Sequence, residues 1–164
     1  MAAQERFFER NVTDERSKRL VIETAEFGVI GYTGLWGIDW VDRRATTGII
    51  IGRKEAQGKG YATDALWSLM RAAFEYVGLH RLDAEIFEFN ERSLKLYVDR
   101  CGWKEEGRRR LHVFRDGRYW DRVLVGITAD DYRELARSSG YWNRSKTIRP
   151  GDRHENSSVF IARS

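Results

Sequence analysis

The chain has 164 residues, 41% of them hydrophobic and 13% aromatic, which suits one folded domain with a buried core. A single cysteine, Cys101, excludes an internal disulfide and fits a reducing compartment. The net charge of +4, from 29 Lys+Arg against 25 Asp+Glu, suits an anionic small ligand as well as a nucleic acid, so charge alone does not choose a partner.

The N-terminus, "MAAQERFFERN", carries charges where an export signal needs an apolar stretch. No run approaches the roughly 18 apolar residues of a membrane span, so a cytoplasmic protein without membrane contact is expected. Residues Gln4 to Glu15 are polar, with Phe7, Phe8 and Val12 on a loose helical face. Arg19 to Thr24 alternates as a strand does, and Gly28 marks a turn. Val29 to Trp40 has the content of a long strand whose glycines mark bulges or bends. The turn Asp42-Arg43-Arg44 leads into a third strand, Thr46 to Ile51, completing an antiparallel meander. The period then changes: Ala62, Leu66, Leu69, Met70, Ala73, Phe74 and Val77 recur at helical spacing, and Gly78 supplies the stop. Leu82 to Phe89 is a further strand. Asn90 has N-cap chemistry for a short helix carrying Leu94, Leu96, Tyr97 and Val98, which Gly102 ends. Cys101 near that helix end reads as a buried small hydrophobe, with a nucleophile as the alternative. Strands Trp103 to Phe114 and Arg118 to Ile127 meet at the turn "RDGR", and a helical turn from Asp130 to Ala136 follows. The run Arg108-Arg109-Arg110 reads as a solvated strand face, with a nucleic-acid patch as the alternative. From Ser138 the composition shifts to Ser, Arg, Asn and Gly with Pro150. This reads as a poorly packed polar extension, whose end "SSVFIARS" has the pattern of an edge strand able to pair with another subunit.

The junction after the third strand reads Gln57-Gly58-Lys59-Gly60-Tyr61-Ala62-Thr63. A tight turn needs one glycine; two, ahead of an uncapped helix start, point to something that approaches the backbone. The first N–H groups of a helix lack internal acceptors, and its dipole adds partial positive charge there. Glycines remove the Cβ atoms that would hold a diphosphate away. A P-loop fails, because Lys59 is followed by Gly60 and Tyr61. A dinucleotide fingerprint fails, because Thr63 stands at its third glycine. A glycine turn before a core-packing helix is the plain alternative.

The same residues resemble the acyl-CoA loop of the GNAT acetyltransferases, Gln/Arg-x-x-Gly-x-Gly/Ala, matched at Gln57, Gly60 and Ala62. Further on, "NERSLKLYVDRCGW" resembles the superfamily segment Asn-x-x-Ser-x-x-x-Tyr-x-x-x-Gly-Phe. The matching positions are Asn90, Ser93, Tyr97, Gly102 and Trp103, with one extra residue between Tyr97 and the glycine. "GRRRLHVFRDGRYWDRVLVGI" looks like the closing strands of the ribosomal-protein N-terminal acetyltransferase branch, with Asp121 after the hairpin. The resemblance spans Lys18 to Leu135. It implies an α/β (α+β) fold: a mixed, mostly antiparallel sheet, splayed at the acetyl-CoA site, with helices on both faces. Residues 1–137 would form the acetyltransferase domain and 138–164 the extension. The family's usual first strand and helix have no counterpart ahead of Gln4, so an N-terminally shortened member, or a neighbouring segment filling the gap, is expected.

What the resemblance implies about chemistry is direct transfer of acetyl from acetyl-CoA to a primary amine, with no metal. The amine is a protein N-terminus or a small amine such as an antibiotic or polyamine. Ile49, Ile50 and Ile51 would expose backbone to the pantetheine, an N–H at Ile50 or Ile51 polarising the thioester carbonyl. The N–H groups from Gly58 to Thr63 would hold the pyrophosphate, with Arg53, Lys54 or Lys59 adding charge. Asn90 and Ser93 would hydrogen-bond the pantetheine or order a water. Tyr97, Ser93 and His112 form the candidate catalytic set. Tyr97 would be general acid to the departing thiolate, although without the family match a core tyrosine is the plainer reading. His112 has a suitable pKa for a base, against the reading of a surface strand histidine; Glu23 and Glu85 are weaker candidates. A non-catalytic CoA-binding sensor or partner module stays open. A nucleic-acid partner is not expected, because no aromatic-basic reading motif accompanies the arginines. Family members often form homodimers.

Overall fold

The computed structural model describes residues 15–144, so the expected helix from Gln4 and the expected edge strand at the end of the chain lie outside the described residues. The strands are β1 (Lys18–Thr24), β2 (Gly28–Asp39), β3 (Arg44–Ile51), β4 (Arg81–Phe87), β5 (Lys104–Arg115) and β6 (Arg118–Thr128). They form one six-stranded sheet in the order β1-β2-β3-β4-β6-β5. Short turns join β1 to β2, β2 to β3 and β5 to β6, and these pairs are antiparallel, as is β4 with β6. Only β3 and β4 run parallel, because a helix lies between them in the chain. That helix, α1 (Tyr61–Arg71), continues as a π-helical turn, Ala72–Val77. Gly78 closes it at φ 77°, with Leu79 N–H donating to Ala73 O at 2.9 Å. Helix α2 (Glu91–Leu94) likewise passes into a π turn, Lys95–Arg100; α3 (Ala129–Ser139) and α4 (Tyr141–Arg144) follow β6.

The core follows from strand alternation. Leu82, Ala84 and Ile86 of β4 and Val123, Val125 and Ile127 of β6 point to one face. There they meet Leu66, Leu69 and Met70 of α1, Tyr97 of the π turn after α2, Trp103 just before β5, and Tyr132 of α3 in one cluster. Each such apolar side chain contributes about 1.5–3 kcal/mol on burial. Asp83 and Glu85 alternate to the opposite face.

The segment expected to be loose from Ser138 is helical and docked where it is described. Thr128 and Asp131 close a capping box on α3, and Gly140 ends it at φ 58°. Tyr141 then stacks on Trp67 of α1 at 4.2 Å with a 5° interplanar angle, and its hydroxyl donates to Asp64. Trp142 meets Trp67 edge-on at 6.1 Å. An aromatic partner on α1, invisible to local composition, holds this part of the chain.

The sheet opens where the site lies. β3 and β4 pair only at Arg44↔Arg81, Ala45↔Leu82 and Thr46↔Asp83, after which they diverge, while β3 stays paired with β2 out to Gly31↔Ile51. Gly31 permits that last pairing: a Cβ there would lie 1.9 Å from Ile50 O. Gly31→Ala is expected to destabilise the fold by about 1–3 kcal/mol through this clash, read as a lower urea midpoint with an unchanged m-value.

Candidate active site

The loop before α1 presents a row of unused backbone donors. Gly58 and Gly60 adopt φ of 80° and 92°, and no side chain caps the helix. Among the described residues, the N–H groups of Gly58, Lys59, Gly60, Tyr61 and Ala62 make no hydrogen bond, whereas those of Thr63 and Asp64 donate to Gly60 O at 2.9 and 3.1 Å. Of the expected run Gly58 to Thr63, the free N–H groups therefore end at Ala62, while Thr63 lines the cavity. From below, Ala56, Tyr61 and Ala65 pack with Ile22 and Ile30 and hold the loop in place. The Tyr61 hydroxyl donates to Glu26 at 3.1 Å.

Register decides which part of β3 faces the gap. Gly52 N–H donates to Ile30 O at 2.9 Å, and antiparallel pairs alternate. The backbone groups of Ile50 therefore face β2, and those of Ile49 and Ile51 face the opening. Ile50 also turns its half-exposed side chain to the far face of the sheet. Ile51 O accepts from Gln57 Nε2 at 3.0 Å, which leaves the Ile51 N–H, with that of Ile49, to face the gap. Gln57 Oε1 accepts from Arg92 Nη1 at 2.7 Å, so this side chain ties the end of β3 to α2. Gln57→Ala removes both bonds. It is expected to weaken acetyl-CoA affinity about tenfold, at about 0.5–1.5 kcal/mol per lost bond, in a calorimetric titration.

Between β3, the loop and α2 lies a cavity of about 320 Å³, within the range of small-molecule sites. It gathers Ile49, Ile51, Gln57, Gly58, Gly60, Tyr61, Ala62, Thr63, Asn90 and Ser93 from the expected set. It also gathers three cations that sequence reading missed: Arg92, Lys95 and Arg100. Arg92 lies in α2, and Lys95 and Arg100 open and close the π turn that continues it. Of the cations expected instead, Lys59 pairs with Glu26 at 2.9 Å and lies over the Phe27 ring at 4.3 Å. Arg53 Nη1 donates to Phe27 O at 2.5 Å.

Asn90 caps α2, its Oδ1 accepting from Ser93 N–H at 3.1 Å. The extra residue after Tyr97 is absorbed by the π turn, in which Cys101 N–H reaches back to Leu96 O at 3.1 Å. Tyr97 sits one residue after the cavity-lining Leu96, only 3% exposed, with its ring edge-on to Trp103 at 4.8 Å. Its hydroxyl is buried without a partner, and burial pushes the phenol pKa well above 10. Cys101 is fully buried and its thiol is pushed up to about 12 by desolvation, which suits a packed hydrophobe and not a nucleophile.

The other candidate bases lie apart. His112 is exposed and lines no part of the cavity. It belongs to a bulge in which Arg110, Leu111 and His112 oppose Asp121, with Leu111 N–H donating to Asp121 Oδ1 at 2.9 Å. Glu85 is clamped by Arg122 at 2.9 Å and Arg109 at 2.7 Å, and the Arg122 hydrogen bond holds its carboxyl below the usual range, so it is a poor proton acceptor. Glu23 is exposed on β1.

Unpaired amides, glycines at positive φ, cavity-lining cations and an orphaned buried hydroxyl fit a thioester carried on a diphosphate. Residues 1–104 match the family model described as an acetyltransferase (GNAT) domain. Spermidine N(1)-acetyltransferase of Vibrio cholerae is 32% identical over 128 residues, 78% of this chain and 73% of its own. The ribosomal protein uS5-alanine N-acetyltransferase of Escherichia coli is 34% identical over 85 residues, 52% of this chain and 43% of its own. The crystal structure of the Vibrio cholerae spermidine N-acetyltransferase in complex with CoA and spermine superposes with a TM-score of 0.73 at 30% identity, covering 80% of this chain and 77% of that one. The chain belongs to the GNAT acetyltransferases and is an acetyl-CoA-dependent N-acetyltransferase.

Proposed function

We propose that the acceptor is a polyamine-type primary amine and that Tyr97 supplies the proton to the departing sulfur. The observation that carries the second half is the buried, partnerless Tyr97 hydroxyl, on the residue next to Leu96, which lines the cavity. The first half rests on the spermidine acetyltransferase relatives, which cover more of this chain than the ribosomal-protein one does.

Acetyl-CoA supplies an activated thioester carbonyl. The N–H groups of Gly58 to Ala62 bind its diphosphate, and Arg92, Lys95 and Arg100 add charge from α2 and its π turn. The Ile51 N–H is the donor for the thioester oxygen, and Asn90 and Ser93 hold the pantetheine. A thiolate with an ordinary pKa of about 8.5 accepts a hydrogen bond from the phenol, and full proton transfer becomes easier as the same desolvation raises the basicity of the sulfur. The acceptor must arrive neutral, and an amine of pKa about 10.4 is charged about a thousandfold in excess at neutral pH. The rate is therefore expected to rise close to tenfold per pH unit between pH 7 and 9, measured as kcat/KM for the amine.

A second reading, acetylation of a protein N-terminus, is favoured by the uS5-alanine relative, and such an amine, of pKa about 8, needs less deprotonation. A thiol-release assay separates the readings: spermidine outpacing an alanyl peptide supports the first, the reverse supports the second, and no release with any amine supports a CoA-binding module. A homodimer in the cytoplasm, with residues 1–137 as the catalytic unit, completes the proposal. The buried free Cys101 supports the reducing compartment.

A further inference from the structure

A second concavity, of about 470 Å³, lies across the β4–α2 turn from the acetyl-CoA cavity. Glu88, Phe89 and Glu91 line it, whereas their chain neighbours Asn90 and Arg92 line the acetyl-CoA cavity. Consecutive Cα atoms are about 3.8 Å apart, so the two hollows share this turn as a common wall. Arg118, Tyr119 and Trp120, at the start of β6, form the opposite side.

Its walls are aromatic and acidic. Phe89 stacks on Phe87 at 5.2 Å and meets Trp120 edge-on at 5.2 Å. Trp120 Nε1 donates to Arg115 O at 3.0 Å, which fixes the indole plane. The Arg118 guanidinium lies 3.3 Å from the centre of the Trp120 ring, so this face already holds a cation. Glu88 is committed: it accepts from Asp121 N–H at 3.2 Å and pairs with Arg108 at 3.3 Å. Glu91 makes no ion pair or hydrogen bond among the described residues, and its exposed carboxylate stands at the rim.

We propose that this hollow is the subsite for a second, non-reacting ammonium group of the acceptor, held against Trp120 and Phe89 and balanced by Glu91, with Arg118 as the cation it displaces. This rests on the reading of an amine acceptor and adds to it a means of choosing among amines. A diamine gains a contact here that a monoamine of the same length lacks. Arg118 sets a threshold, because a ligand must compete with the guanidinium for the ring.

The test compares 1,4-diaminobutane with n-butylamine at saturating acetyl-CoA in wild type, Glu91→Gln and Arg118→Gln. Glu91→Gln is expected to raise KM for the diamine about three- to tenfold, and Arg118→Gln to lower it by a similar factor. Both variants leave kcat and the n-butylamine KM unchanged. Equilibrium dialysis of radiolabelled 1,4-diaminobutane against protein without acetyl-CoA is read beside the kinetics and is expected to show weaker binding to Trp120→Leu than to wild type. Equal KM shifts for both amines, no shift for either, or unchanged dialysis binding in Trp120→Leu overturns the subsite. Absence of thiol release with every amine overturns the acceptor reading instead, a result distinct from the other three.

Discussion

Tyr97→Phe is expected to lower kcat about a hundredfold while leaving the Kd for acetyl-CoA within about twofold. The change removes one oxygen and keeps the ring against Trp103. A tyrosine kept only for packing gains nothing from a hydroxyl that is buried and unpaired, and such a group costs about 1–3 kcal/mol. The phenylalanine variant should therefore be at least as stable as wild type, so a fall in rate is a loss of chemistry and not of fold. Thermal unfolding beside single-turnover thiol release separates the two. Burial raises the phenol pKa, so its neutral, proton-bearing form persists to alkaline pH. The wild-type pH profile should then show no falling limb from Tyr97 below about pH 10, and the variant should keep the profile's shape at a lower height. Above about pH 10 the unfolded chain ionises its tyrosines first, so stability, and not activity alone, begins to fall there.

Gly60→Val is expected to weaken acetyl-CoA binding by at least about tenfold with little loss of fold. A Cβ at Gly60 meets no protein atom within 4 Å, so the first carbon that the substitution adds has open space. Its cost lies in the backbone: φ is 92°, where an L residue is strained by about 1–2 kcal/mol. Relaxing that strain turns the neighbouring amides away from the cavity, and binding must restore it. The branched side chain also occupies the space that the diphosphate needs. Calorimetric titration with acetyl-CoA reads the effect; an unchanged Kd removes the phosphates from this loop.

Local pattern predicts the elements well because each carries its own signal. β3 ends in a β-branched run, α1 follows a change of period, Asn90 caps α2, and Gly78 and Gly102 stop their helices. What local pattern cannot carry is register and long-range partnership. Whether Ile50 or Ile51 faces the gap depends on the bond from Gly52 to Ile30, set across two strands. The Gln57–Arg92 tie joins segments whose proximity follows from the splay, and the motif marks Gln57 without showing its partner. Tyr141 and Trp142 sit in a polar stretch, and only the placement of Trp67 on α1 makes them anchors. His112 has a base's ordinary pKa and a strand position after the Tyr97 segment, but the bulge opposite Asp121 leaves it exposed and outside the cavity. The extra residue after Tyr97, visible in the sequence as a mismatch with the family spacing, is the π turn itself.

A crystal structure with CoA bound tests the central claim most directly. The account predicts diphosphate oxygens within hydrogen-bond distance of the amides of Gly58 to Ala62, with the sulfur beside the Tyr97 hydroxyl. A complex in which side chains fill that corner, or in which CoA lies elsewhere on the molecule, contradicts it.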